Sequence, residues 1–396
     1  MLYRKTKKAL IILISIVFLT TCFSPAYSYS IKNKTEYDFI SNNPRNALGE
    51  NDEGAHHNDK YITQEWWYYN IIFNDPDSDL KDWSATVSFS VFPTVHGLKL
   101  ALHDNKNNTY GSLYTYPRNN DETIGPNVNI SFNNSYAKGR YPEWNVYAEN
   151  TGKDETKITA NLTFKANSKP IWIAANTGRN NAKSKIGYYC IFNCNVSGEI
   201  TINETIYHVK GLGYHDHFWA PYAKKEKNTS NLGKTRENPT KLLDFNVWDW
   251  LVIHFDNGWD MFLGKVHSSK RTIFSNLMPG SICITPDGKN IMECFFFKID
   301  YQETRPSSAP SINVPTKIHI KAVILKTTKP YGLFPPLFLD IYYEANTFLE
   351  CLYGSPPDWG YWETTGQVHG KIKNFAKTID LNGRATMEIT NNIDTS

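Results

Sequence analysis

Residues 211–222 read Gly-Leu-Gly-Tyr-His-Asp-His-Phe-Trp-Ala-Pro-Tyr, a short run that sets one acid and two histidines among aromatic rings. On a β-strand, successive side chains point to opposite faces. His215 and His217 then share a face with Trp219, and Asp216 points the other way. A solvent-facing strand has little use for that mixture. It suits a cavity in which a proton is moved beside an apolar substrate.

Three further clusters repeat the theme. In Gln64-Glu65-Trp66-Trp67-Tyr68-Tyr69, strand spacing groups Glu65, Trp67 and Tyr69 on one face. A carboxyl among such rings is partly desolvated and its pKa rises, unless the strand is a rim and the acid is exposed. In Phe245-Asn246-Val247-Trp248-Asp249-Trp250, the two indoles share a face, and Asp249 lies opposite with Val247 and Leu251. A buried Asp249 needs a partner or a proton; an outward one needs neither. Near the C-terminus, Gly360-Tyr361-Trp362-Glu363-Thr364-Thr365-Gly366 again sets an acid beside an indole, with a closing strand anchored by Trp362 as the plainer reading.

The spacing of His215 and His217 also offers two imidazoles to a metal, with His254 or His267 as the nearest third ligand. Nothing in the spacing selects either one. The histidines as hydrogen-bonded parts of a barrel wall is a second alternative. Proton transfer is the preferred reading, with no metal and no organic cofactor. The chain has no GxSxG, HExxH, Walker or GxGxxG pattern, so serine hydrolysis and nucleotide use lack support.

The elements that must position these residues are strands. Apolar and polar residues alternate in Trp83–Phe92, Lys157–Phe164, Glu199–Tyr207 and Lys317–Leu325. Asn74-Asp-Pro, Asn257-Gly, Pro286-Asp-Gly and Asn382-Gly punctuate them as turns. Aromatic residues, which favour strands, make up 14% of the chain, and no long segment has helical period. The pattern predicts an all-β chain of barrels or sandwiches. Two stretches are irregular: Lys224 to Lys241, polar and Lys-rich, and Thr304 to Pro315, rich in Pro and Ser.

The N-terminus reads as a secretory signal. Arg4, Lys5, Lys7 and Lys8 precede an apolar run from Ala9 to Phe23, and Ala26-Tyr27-Ser28 supplies small residues for cleavage. An uncleaved anchor and lipid attachment at Cys22 are the alternatives. Cleavage removes four positive charges and moves the formal balance from +3 to −1. That leaves no basic excess for nucleic acid. The expected location is outside the cell or at its surface, with membrane association open and the oligomeric state unassigned. Asn33, Asn107, Asn129, Asn133, Asn161, Asn195, Asn203 and Asn228 each begin a glycosylation sequon, in line with export. Export permits disulfides; Cys190 with Cys194 and Cys283 with Cys294 are the local candidates.

Taken in order, the four clusters resemble the carotenoid 1,2-hydratases (hydroxyneurosporene synthases) and the AttH-like lipocalin-type proteins. Glu65-Trp66-Trp67-Tyr68 is similar to the family's acid-Trp-Trp-Tyr segment, and Asp216-His217-Phe218-Trp219 to its Asp-His-x-Trp-Gly segment, with Ala220 in place of Gly. Trp248-Asp249-Trp250 matches its Trp-x-Trp strand, and Tyr361-Trp362-Glu363, through Val368 and Gly370, its closing run. The resemblance implies two lipocalin-like antiparallel β-barrels. With the signal and the polar stretch read above, the expected division is a signal at 1–28, an extension at 29–55, an N-terminal domain over 56–222, a loop at 223–241 and a C-terminal domain over 242–396. It implies cofactor-independent addition of water to the terminal double bond of an acyclic isoprenoid. Asp216 with His217 is then the acid/base pair, Asp249 a second acid, and Trp219 with Trp248 or Trp250 flanks the cation. Glu65, Trp67, Tyr69, His215 and Trp362 complete the implied substrate surface. A non-catalytic carrier of an apolar lipid or isoprenoid is the competing reading.

Overall fold

The computed structural model describes residues 47–56, 64–92, 95–104, 106, 108–117, 125–152, 155–175, 187–220, 247–267, 280–308, 312–328, 335–354 and 357–392. The signal pattern, the Lys224–Lys241 stretch and the sequons at Asn33, Asn107 and Asn228 lie outside them. Every regular element among the described residues is a strand.

The first sheet comprises β1 (Gln64–Phe73), β2 (Ser84–Val91), β3 (Val95–His103), β4 (Thr109–Pro117), β5 (Val128–Phe132), β6 (Ser135–Arg140), β7 (Glu143–Thr151), β8 (Lys157–Ala166), β9 (Ile171–Ala175), β10 (Gly187–Ile202) and β11 (Thr205–Ala220). Its order is β4-β3-β2-β1-β11-β10-β8-β7-β6-β5, with β9 on β10. The second comprises β12 (Trp248–Phe255), β13 (Asp260–Val266), β14 (Gly280–Thr285), β15 (Met292–Cys294), β16 (Phe297–Pro306), β17 (Asn313–Ile324), β18 (Lys326–Thr327), β19 (Leu337–Ala345), β20 (Leu349–Gly354), β21 (Pro357–Lys373), β22 (Thr378–Asp380) and β23 (Gly383–Asn392). It runs β16-β17-β19-β21-β23-β12-β13-β14-β15-β18, with β20 and β22 on β21. The strand pairings among the described residues are antiparallel, and both sheets curl.

The pairing of β1 with β11 joins the first and last strands of the first sheet and fixes the site. Its register sets Glu65 opposite Trp219, Trp67 opposite His217, Tyr68 opposite Asp216 and Tyr69 opposite His215. Residues opposite each other point the same way, so a slip by one residue would turn every one of these side chains to the wrong face.

Around β1, β2, β3 and the second half of β11, both faces of this sheet are covered. One face lines the first barrel, where Trp67, Tyr69, Phe89, Trp144 and Phe164 are buried. The other packs on the second sheet: Tyr68, Tyr188, Cys190, Tyr214 and Phe218 form one core with Trp250, Val252, Phe262, Cys283 and Ile291. The second barrel has its own interior, built around Leu251, Ile253, Ile320, Ile341, Tyr343 and Trp362. Alternation on β2 therefore separates two buried environments, not core from solvent. Val87 and Phe89 face the barrel, whereas Thr86 reaches Glu363 of the second sheet at 2.7 Å.

Three local expectations are corrected. Glu199–Tyr207 is not one strand. Ile202 pairs with Thr205 across a tight turn at Asn203-Glu204, where Asn203 takes a left-handed φ of 54° that Asn tolerates. The Pro- and Ser-rich stretch is strand at both of its ends: β16 runs through Pro306 and β17 starts at Asn313. The local disulfides are not formed: Cys190, Cys194, Cys283, Cys294 and Cys351 are buried and outside any disulfide bridge. Cys283 lies opposite Glu293, one place from Cys294, so the two thiols belong to different cores.

Candidate functional site

The His-Asp-His run divides its side chains between the two buried environments. Inside the first barrel, His217 Nε2 lies 2.8 Å from Glu65 Oε1, with both side chains 0% exposed. His217 Nδ1 lies 3.0 Å from the Asp52 carbonyl, which can only accept, so Nδ1 carries a proton. Burial pushes the His217 imidazole down to about 4, against the raising effect of Glu65. A second imidazole, His56 Nδ1, approaches the same Glu65 oxygen at 3.0 Å. Stacked rings hold this group: Trp67 on His217 at 4.5 Å and His56 on Trp219 at 3.8 Å. Gly187 makes room, since a Cβ there would sit 2.0 Å from the Trp219 ring.

His215 shares this interior but not the cluster. Its Nδ1 donates to the Tyr68 carbonyl at 3.0 Å, its ring stacks on Tyr69 at 4.4 Å, and burial pushes it down to about 3. The hydroxyls of Tyr69 and Tyr189 and Nε2 of His215 are buried without a partner among the described residues.

Asp216 points into the layer between the sheets. Tyr214 Oη and Tyr188 Oη donate to Oδ2 at 2.8 and 3.0 Å, and Trp66 Nε1 donates to Oδ1 at 3.2 Å. Burial pushes the carboxyl up to about 8, against the lowering effect of the Tyr214 bond. Aromatic faces surround it: Trp250 donates to Tyr188 Oη at 2.7 Å, Trp66 stacks on Phe218 at 4.0 Å, and Tyr68 meets Trp250 edge-on at 5.1 Å. The Tyr68 hydroxyl is buried here with no partner among the described residues.

Beside this layer lies a buried ion cluster that joins Tyr361 and Glu363 of the C-terminal motif to Lys99, His103 and Glu388, which carry no signal in the sequence pattern. Lys99, 1% exposed, bonds Glu363, bonds Glu388 at 2.8 Å and Tyr361 Oη at 2.5 Å, and sits 4.6 Å over the Tyr68 ring. His103 Nε2 meets Glu363 at 2.9 Å. Burial lowers the Lys99 ammonium, but the two carboxylates outweigh it and hold the group above its ordinary value. Burial pushes Glu388 up, whereas Lys99 and His103 hold Glu363 well down.

Asp249 is in a third place. It is buried in the second barrel, on the face opposite Trp250, with His267 Nε2 at 2.8 Å and a bond from Tyr301. Trp362 is in that interior too, donating to Glu350 at 2.8 Å. Trp248 stacks at 6.0 Å on Trp66, in the layer between the sheets.

The structure thus separates residues that the resemblance had joined. Asp216 and His217 are neighbours on one strand and face opposite sides, so they form no acid/base pair; Glu65 is the carboxylate at His217. Trp219 lies in the barrel, away from Trp248 and Trp250. His254 and His267 are in the second sheet, against Asp260 and Asp249, and neither joins His215 and His217. Sequence pattern had no signal for His56, which lies in coil, or for Lys99, which alternation places on an apparently outer face.

Residues 47–56 close onto the first barrel. Glu53 accepts from Tyr141 N at 2.8 Å and Trp144 Nε1 at 3.1 Å, with Arg140 3.8 Å away and Asp52 adding like charge. Burial pushes its carboxyl from 4.5 up to about 7. A folded-state value above the unfolded one means that ionisation disfavours the fold, so stability falls as pH rises from about 4.5 to 7. Glu53→Gln keeps one oxygen for both donors. It is expected to leave stability unchanged near pH 4.5 and to raise it by about 2–3 kcal/mol at pH 8. Urea unfolding at the two pH values checks this; an equal effect at both would show that Glu53 is not held protonated.

No family model matches the chain, and no curated protein matches it in sequence. Solved structures share its fold. One is a protein of Nitrosomonas europaea assigned as an AttH, at TM-score 0.60 and 14% identity over 88% of this chain and 97% of that one. Another is kievitone hydratase from Nectria haematococca, at TM-score 0.54 and 12% identity over 83% and 89%. The architecture is two lipocalin-like antiparallel β-barrel domains, as the resemblance implied.

Proposed function

We propose that this chain is a hydratase-type enzyme that adds water to a carbon–carbon double bond of an apolar, isoprenoid-like substrate, with Asp216 as proton donor. One observation carries the reading. Asp216 is a buried carboxyl whose hydrogen-bond partners are all neutral, two phenols and an indole, in a layer of aromatic faces. A carboxyl in that setting keeps its proton and can donate it.

The chemistry then balances. The Asp216 proton goes to one alkene carbon, leaving a tertiary cation on the other. The faces of Trp250, Trp66 and Tyr68 stabilise that cation at about 0.5–2 kcal/mol each. Water attacks, and the proton it loses returns to the Asp216 carboxylate. The shared fold with kievitone hydratase and the four motif resemblances support the reading. A fold hosts many reactions, so the site carries the argument and the fold accompanies it.

Incubating the purified protein with acyclic C40 and shorter isoprenoids in oxygen-18 water tests it. The expected product is an alcohol carrying the label, read by mass spectrometry. Unchanged substrate across the panel, or an alcohol without label, would overturn the proposal.

A further inference from the structure

The group around Glu65 is not used by that chemistry, since it lies on the opposite face of β11 from Asp216. Its geometry is specific. His56 Nδ1 and His217 Nε2 approach one oxygen, Glu65 Oε1, at 3.0 and 2.8 Å, and the three donor atoms lie within 4.8 Å of one another. Bonds of about 2.1 Å at the tetrahedral angle of a zinc site leave neighbouring donors about 3.4 Å apart. The two contacts at Glu65 Oε1 are shorter than that by about half an ångström, so a small outward shift of the imidazoles would seat an ion among the three donors.

The hydrogen bonds behind the donors point the same way. The Asp52 carbonyl takes the Nδ1 proton of His217. A neutral imidazole then presents a lone pair at Nε2, aimed at a carboxylate oxygen that also has lone pairs to offer. A ligating histidine typically donates its other ring N–H to a carbonyl or carboxylate, which fixes tautomer and ring orientation. Glu65 is steadied in turn by the backbone N–H of His56, at 3.0 and 2.9 Å from its two oxygens. Trp67 and Trp219 clamp the imidazoles by stacking.

We infer that His56, Glu65 and His217 bind one divalent first-row cation of the zinc class in the first barrel. Two imidazoles and one carboxylate are a donor set for zinc, with at least one further position left for water. The ion replaces the proton that otherwise has to lie between His217 and Glu65. The inference does not depend on the hydratase reading, and its test does not use activity.

Full-length protein, stripped by dialysis against a chelator, is titrated with Co²⁺ and followed by its visible d–d absorption, with Zn²⁺ as competitor. The expected result is one saturable equivalent per chain, displaced by Zn²⁺. His56→Gln and Glu65→Gln are each expected to weaken binding at least tenfold. His56 lies in coil, so its substitution leaves the strands in place, and circular dichroism verifies the fold. His208→Gln, at an exposed surface imidazole beside Glu199, is expected to leave binding unchanged. Absence of a saturable band, or equal binding in both ligand variants, would overturn the inference and leave a proton-bridged cluster or a surface ion.

Discussion

Replacing Lys99 with Met is expected to lower the free energy of unfolding by about 3–5 kcal/mol, the cost of leaving buried carboxylates without their cation. Lys99 supplies the positive charge that Glu363 and Glu388 share, and each of its three N–H groups has a partner in Glu363, Glu388 or Tyr361. Met matches the aliphatic stem, so little packing is lost and the loss reports the charge. The triple variant Lys99→Met, Glu363→Gln, Glu388→Gln removes both signs and is expected to recover most of the loss. Urea midpoints of the two variants decide the matter: a loss below about 1 kcal/mol, or no recovery in the triple variant, would refute it. Because Lys99 and Glu363 belong to different sheets, the same experiment reports how firmly the two sheets are joined.

The second large effect concerns turnover. Asp216→Asn is expected to reduce hydration by about 10²–10⁴-fold, the usual contribution of a positioned general acid. The change is nearly isosteric. An amide oxygen in the place of Oδ2 still accepts from Tyr188 and Tyr214, and only the 3.2 Å bond from Trp66 is lost. The fold and the binding of substrate are therefore expected to be kept, so the loss appears in kcat. A variant within tenfold of the parent would remove Asp216 from the chemistry. His217→Ala distinguishes the two faces of β11: its imidazole cannot reach the layer between the sheets, so the hydratase reading expects a much smaller effect on kcat.

Much of the local geometry was legible because alternation is a property of the chain itself. Glu65 with Trp67 and Tyr69, His215 with His217 and Trp219, and Trp248 with Trp250 opposite Asp249 are grouped in the structure as strand spacing requires. The punctuation of strands by Asn-Gly and Pro-Asp-Gly turns was legible for the same reason. The Asn203-Glu204 turn was not, because neither residue is Gly and the flanking alternation runs through it unbroken.

Partners were not legible. Glu65 and His217 are 152 positions apart and meet only because β1 and β11 pair in one register. Tyr188 and Trp66 reach Asp216 from strands on either side of it. Pattern also could not show that the second sheet covers the outer face of the first, which turns Lys99 and Thr86 from apparent surface residues into buried ones and closes the layer around Asp216.

By itself, then, the sequence determined an all-β chain and which neighbouring side chains share a face, since both follow from a period of two along a strand. Tertiary structure decided which faces meet. It parted Asp216 from His217, gave His217 to Glu65 and His56, and set a carboxyl in an aromatic layer without a counter-ion among its hydrogen-bond partners. Those outcomes depend on long-range register and sheet packing, where burial and hydrogen bonding are settled by residues far away in the chain.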